Sequence, residues 1–324
     1  MDASHYTGYL QRALDLAALN IGKQPQGALL GWVVMKKGVV LQEGASDLFS
    51  TSNALRWEGA TLFLSINTLA SLEALDTFCS THGFSSYFVA TALDSPVREA
   101  ALHLNRRYLT WKHKKRPYII LKWAETTDGF IAPADRQPYW ISSAQSRQLV
   151  HQWRSQEAAI WAGKNTYHYD NPRLNVRDWE GLNPVRVVVD PALRLSSHLN
   201  VFDQSQLTLC YNEVKNEQMP NLEYISIKEG NWHDRIRAVL SDLYQRNILS
   251  VLVEGGSVLL DFLVENGWWD EARQFSAPVI FGNGVVAPKI DKSYWFDRRR
   301  ISKDILTAYY SSAFLKAEEK IEKQ

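Results

Sequence analysis

Along residues 248–267, ILSVLVEGGSVLLDFLVENG, the hydrophobic pattern changes period within one stretch. Its first six positions are a β-branched and leucyl run interrupted only by Ser250, which predicts a strand buried on both faces of a sheet. Beyond it, Val258, Leu259, Phe262 and Leu263 fall on one helical face, and Asn266-Gly267 supplies a stop. Glu254-Gly255-Gly256-Ser257 lies between the two. The glycines let backbone approach a ligand, and Ser257 is placed to cap the helix, leaving N–H groups that can face an anionic group. A plain tight strand-to-helix turn with an exposed Glu254 fits the same residues.

The rest of the chain extends this pattern. Residues 9–19 form an amphipathic helix, with Leu10, Ala13, Leu14 and Ala17 on one face. Runs at 28–35 and 39–41, joined by Lys36-Lys37-Gly38, predict a hairpin. Strands at 60–66 and 87–92 and helices at 71–79 and 97–104 follow, with 46–59 polar and aperiodic and a turn at Asp94-Ser95-Pro96. The charged run 111–117 reads as a solvated linker rather than a nucleic-acid or targeting patch. After it, strands at 118–123, 158–162, 185–190, 207–211 and 224–227 are interspersed with helices at 142–154 and 232–246. Residues 126–129 form a turn, 271–281 are strand-forming, 301–314 are two-stranded in character, and 316–324 are a polar tail. Strands alternating with helices, then late strands without them, predict an α/β protein whose sheet is mostly parallel with one antiparallel edge. The domain boundary falls near Arg116, giving domains 1–116 and 117–324.

Composition narrows the class. A chain of 324 residues, 45% hydrophobic and 22% charged, is globular and long enough for two cores. A formal net charge of +1 gives no field to steer a polyanion, so no nucleic-acid partner is expected. Two cysteines, Cys79 and Cys210, exclude a disulfide framework and point to a reducing compartment. With neither a signal-peptide core nor a long apolar run, the expectation is a cytoplasmic protein with no membrane partner. Gly282-Asn283-Gly284-Val285-Val286-Ala287 matches the dinucleotide fingerprint G-x-G-x-x-A by letter. Pro288 follows at once, so no helix starts there and no Rossmann domain is expected.

The chemistry is spaced through the second half. Lys122 with Thr126-Thr127-Asp128-Gly129 puts a cation and a carboxylate at one end of a strand. Trp140-Ile141-Ser142 precedes a helix ending in Arg154. Gly163-Lys164-Asn165-Thr166 leads to Asp170-Asn171-Pro172-Arg173-Leu174 and Arg177, and Val253-Glu254-Gly255-Gly256 comes last. Singly, each has a bland reading: Asp128-Gly129 is a turn, Trp140 is core, and Arg154 is a helix-end cation.

Together, these residues closely resemble the reductase half of the bifunctional riboflavin-biosynthesis deaminase/reductase family. That family carries R-P-x-V-x-x-K-x-A-x-S-L-D-G-x-I-A, W-I-(T/S)-S, G-x-x-T-x-x-x-D-x-P-x-L-x-x-R and V-E-G-G in this order, over roughly 117–315 here. The resemblance implies a dihydrofolate-reductase-like domain, NADPH as cofactor, and reduction of the ribosyl group of 5-amino-6-(5-phosphoribosylamino)uracil to ribityl. Position by position, it implies cofactor contacts at Ala124, Trp140, Thr166, Asp170 and the segment Gly255, Gly256 and Ser257. It implies substrate contacts at Arg154, Leu174, Arg177 and Glu254. One position departs: where the family often has a serine two residues before the tryptophan, this chain has Pro138.

For a hydride to reach C1′ of a ring-opened ribosylamine, an acid or cation must balance charge at the sugar end; Lys122 and Glu254 are the candidates, with Asp128 a third catalytic one. Arg154 and Arg177 suit the 5′-phosphate, because a guanidinium fork matches phosphate oxygens.

The first half resembles the family's smaller, cytidine-deaminase-like α/β domain without its zinc site. The family's His-Ala-Glu and Pro-Cys elements are missing: no His-x-Glu occurs in the chain, and Ile66-Asn67-Thr68 stands where Pro-Cys would follow. No metal is expected, and deamination falls to a separate protein. The resemblance also implies a homodimer. Two alternatives stay open: a catalytically silent assembly or ligand-binding module of the same fold, and a reductase for another pterin- or pyrimidine-like substrate.

Overall fold

The computed structural model describes residues 6–23, 27–46, 48, 57–69, 71–92, 96–228, 230–291 and 296–311. Asp94-Ser95, most of 46–59 and the 316–324 tail lie outside them. Two compact units divide between Lys114 and Lys115.

In the first unit, β1 (Gly31–Lys36) turns through Lys37 and Gly38, both at positive φ, into β2 (Val39–Ala45). With β3 (Thr61–Leu64) and β4 (Ser86–Val89) they form a four-stranded sheet in the order β2-β1-β3-β4. β1 is buried on both faces. Trp32 and Val34 face a core with Leu62, Leu64, Leu75 and Cys79, while Val33 and Met35 face Leu10, Ala13 and Leu14. The former core holds α2 (Leu72–Thr81), the latter α1 (Thr7–Ala18) and α3 (Pro96–Leu104). The expected linker differs: residues up to Lys114 form α4 (Arg106–Lys114). Its last turn gathers Lys112, His113 and Lys114, cations that a helix C-terminus favours, so the basic run ends a helix instead of bridging as coil.

The second unit is built on a ten-stranded sheet. Its centre is parallel: β11 (Leu222–Ser226), β9 (Thr208–Asn212), β8 (Val185–Val189), β7 (Ala159–Trp161), β12 (Ser250–Glu254), β5 (Tyr118–Thr126) and β13 (Glu271–Ala277), in that order. Both edges are antiparallel, not one. β10 (Glu217–Met219) pairs with β11, while β16 (Asp304–Tyr310) and β15 (Phe296–Ile301) extend from β13. The three-residue β10, all exposed, is too short to show a period in sequence.

β12 runs through the middle, as its continuous apolar run requires. Val251 and Val253 pack on one face with Ile236, Leu240 and Leu243 of α7 (Trp232–Gln245) and Leu259 and Leu263 of α8 (Ser257–Glu265). Leu252 points the other way, to Val150 and Trp153 of α5 (Ala144–Gln156). Ser143 caps α5, and Asp304 accepts from the Ser143 N–H at 2.7 Å and the Ser146 hydroxyl at 2.6 Å, which fixes that helix start. The G-x-G-x-x-A segment forms β14 (Gly284–Val286), paired with β6 (Phe130–Pro133), and among the described residues no helix follows it.

Candidate active site

Parallel pairing of β12 with β5 sets Glu254, the last residue of β12, directly beside Lys122, midway along β5. Both line a cleft of about 810 Å³. Arg154, carried in by the last turn of α5, donates from Nε to Glu254 Oε1 at 2.7 Å and from Nη2 to Oε2 at 2.8 Å. Its Nη1 donates to the Asn175 carbonyl at 3.0 Å. Lys122 Nζ lies 4.0 Å from Glu254 Oε2. Burial alone would raise the Glu254 carboxyl, but the Arg154 charge and hydrogen bonds, with Lys122 behind them, hold it at about 2. Burial pushes the Lys122 ammonium below its usual value; Glu254 opposes this and Arg154 adds to it.

Beyond Glu254 the chain turns through Gly255 and Gly256 at φ of 79° and 83°, which side chains rarely tolerate. A Cβ on Gly256 would stand 2.9 Å from the Gly163 Cα, so two backbones touch where a side chain cannot fit. Gly163 opens α6 (Lys164–Asp170), and Thr166 Oγ1 faces both glycines. Gly256, not Ser257, is the residue flanking α8, and no side chain caps that helix. The expectation of a Ser257 cap fails because the helix starts one residue earlier than that reading needs: Gly256, at positive φ, flanks it and Ser257 is its first residue. A glycine cradle beneath an uncapped helix start fits the diphosphate of a dinucleotide.

Ala124, Trp140, Thr166, Asp170, Leu174 and Arg177 all line the same cleft. Trp140 is 70% exposed, not core, and its ring lies under the Arg147 guanidinium at 4.8 Å, which is itself tied to the Ser142 carbonyl. Burial raises the Asp170 carboxyl. Leu174 is buried and sits at φ 52°, bending its loop inward. Arg177 has its side chain 45% exposed.

Two expectations change. Asp128 does not join the cleft lining. Its exposed carboxylate accepts from the Phe281 and Gly282 N–H groups at 3.2 and 2.7 Å, so it braces two loops, and the catalytic role read for it does not follow. Arg154 is engaged on three sides by Glu254 and Asn175, which makes it the clamp of the carboxylate more than a free phosphate fork. His151 was missed. It lines the cleft one turn before Arg154, and Arg147, His151 and Arg154, at i, i+4 and i+7, share a helix face that the sequence pattern could have shown.

Residues 117–293 match the family model for the RibD C-terminal domain. The chain belongs to the RibD family. It is 27% identical over 318 residues to the riboflavin biosynthesis protein RibD of Aquifex aeolicus, covering 86% of this chain and 88% of that one. To RibD of a Synechocystis species it is 28% identical over 317 residues, 86% of each. Its structure is similar to that of a diaminohydroxyphosphoribosylaminopyrimidine deaminase/5-amino-6-(5-phosphoribosylamino)uracil reductase from Thermotoga maritima, with a TM-score of 0.78 at 25% identity over 94% of this chain and 98% of that one. Acinetobacter baumannii RibD shares the fold, with a TM-score of 0.79 at 20% identity, covering 95% and 99%. The α/β fold expected from the resemblance, a small N-terminal domain before a dihydrofolate-reductase-like reductase domain, is therefore the RibD fold. Among the described residues no helix is long and apolar enough to cross a membrane.

Proposed function

We propose that this RibD-family chain reduces the ribosyl group of 5-amino-6-(5-phosphoribosylamino)uracil to ribityl with NADPH. The observation that carries this reading is the Lys122–Glu254–Arg154 cluster set against the glycine cradle within one cleft. When bound, NADPH supplies the hydride. Gly163, Thr166, Gly255, Gly256 and Ser257 would hold its diphosphate region, with Ala124, Trp140 and Asp170 around the rest. Glu254 stays a carboxylate at neutral pH because Arg154 stabilises the charge, so it does not act as the acid. Lys122, desolvated and adjacent, is the proton donor at the sugar end, and Glu254 orients it. Arg177, half in solvent at the cleft wall, takes the 5′-phosphate.

The first unit supplies no deaminase in this reading. No His-x-Glu occurs in the sequence. Among the described residues no three His, Cys, Asp or Glu side chains gather as a metal site. A separate protein then performs the deamination, and the chain works in the cytoplasm as a homodimer. Zinc analysis and a deaminase assay on purified protein test this part. Well under one zinc per chain and no release of ammonia are expected; stoichiometric zinc with turnover would overturn it.

A further inference from the structure

Residues 171–184 run without helix or strand between α6 and β8, yet they bring Leu174 and Arg177 to the cleft. A segment that long keeps one conformation only where side chains from ordered elements grip its backbone. Arg186 donates from Nε and Nη2 to the Arg173 carbonyl at 2.9 and 2.7 Å, Gln206 donates to the Leu174 carbonyl at 3.4 Å, and Arg154 holds Asn175. At Arg177 the grip comes from a titratable ring. His151 Nδ1 accepts from the Arg177 backbone N–H at 3.4 Å, and Nε2 lies 3.3 Å from Asp178 Oδ2. The His151 side chain is 3% exposed.

We propose that His151 is a positioning residue for substrate: its two ring nitrogens hold the Arg177 backbone and the Asp178 carboxylate, and thereby aim the Arg177 guanidinium at the phosphate. This rests on the reading of Arg177 given above. A backbone N–H can only donate, so Nδ1 carries no proton and Nε2–H faces Asp178. A protonated ring would set N–H against N–H and release the loop. Burial, aided by the charges of Arg154 and Arg177 and opposed by Asp178 and Glu254, holds the imidazole down at about 4, so it is neutral at physiological pH.

Arg177 needs such aiming because its own contacts are loose. Its Nε is 3.8 Å from Asp178 Oδ2, and its Nη1 is 3.5 Å from Asn175 Oδ1. By sharing the Asp178 carboxylate, His151 also keeps it from pairing closely with Arg177, which leaves the guanidinium for the ligand.

The test uses the full chain with His151→Phe, which removes both nitrogens, and His151→Asn, whose side-chain oxygen can stand near Nδ1 and accept from Arg177. If His151→Phe does not fold, His151→Gln, which lacks an acceptor at that point, replaces it. Steady-state kinetics, an NADPH titration and amide exchange over 171–184 are read together. Loss of the acceptor should raise KM for the ribosylaminouracil phosphate by about tenfold, with kcat and the NADPH Kd within twofold. Exchange over 171–184 should quicken, and His151→Asn should recover most of both effects. An unchanged KM, unchanged exchange, or an Asn variant no better than Phe overturns the inference. Absence of turnover in the wild type would refute the proposed reaction instead, and exchange over 171–184 would still decide what His151 holds.

Discussion

Arg154 and Glu254 close on each other through two near-equal hydrogen bonds, 2.7 and 2.8 Å, across 100 residues of chain. Both side chains are about nine-tenths buried. In such a setting the desolvation of each charge is offset only while the other is present. Glu254→Ala leaves Arg154 and Lys122 facing one another and should cost roughly 3–5 kcal/mol in urea unfolding. Because the folded carboxyl titrates at about 2, below its unfolded range, its contribution is complete above the unfolded pKa and lost as pH falls from there toward 2. That contribution is on the order of 3 kcal/mol. Glu254→Gln should flatten the acid limb of the stability profile in this window, and an unchanged limb would show that the pair is not the one titrating.

Asp128 offers the opposite test. Its carboxylate meets backbone N–H groups outside the cleft, so Asp128→Asn should leave kcat/KM within about threefold, as for a surface substitution away from the reacting groups. A loss of a hundredfold or more in steady-state kinetics would return it to the chemistry.

Asp170 and Arg177 should separate the two ligands. NADPH at a hundredfold excess over Kd stabilises a protein that binds it by about 2.7 kcal/mol, and Asp170→Ala should reduce the resulting rise in Tm. Arg177→Ala should leave that rise intact. With its side chain 45% exposed, the phosphate contact is worth about 1–3 kcal/mol, so kcat/KM should fall by roughly fivefold to 150-fold. The reverse pattern, Arg177→Ala blunting the NADPH shift, would exchange the two assignments.

Much of this was legible in sequence, because periodicity reports burial. The run 248–253 is two-face apolar, and it is the buried centre of the sheet. The cleft residues could be read because motif spacing follows a strand end and helix starts: Glu254 ends β12 beside Lys122 of β5, and Gly163 and Gly256 open helices. What spacing could not show was engagement. Whether Arg154 faces a ligand or a carboxylate depends on Glu254, 100 residues away, and whether Asp128 turns inward depends on the N–H groups of 281–282. β10 escaped because three exposed residues carry no pattern, and α4 because a basic run reads alike as coil and as helix end.

The central claim concerns hydride delivery to the sugar. Purified protein would be given 5-amino-6-(5-phosphoribosylamino)uracil with NADPH deuterated at both nicotinamide C4 positions, and the product read by mass spectrometry. The account predicts a ribityl product carrying one deuterium, bonded at C1′, formed in step with NADPH oxidation. NADPH left unoxidised, or a product whose deuterium lies elsewhere, would contradict it.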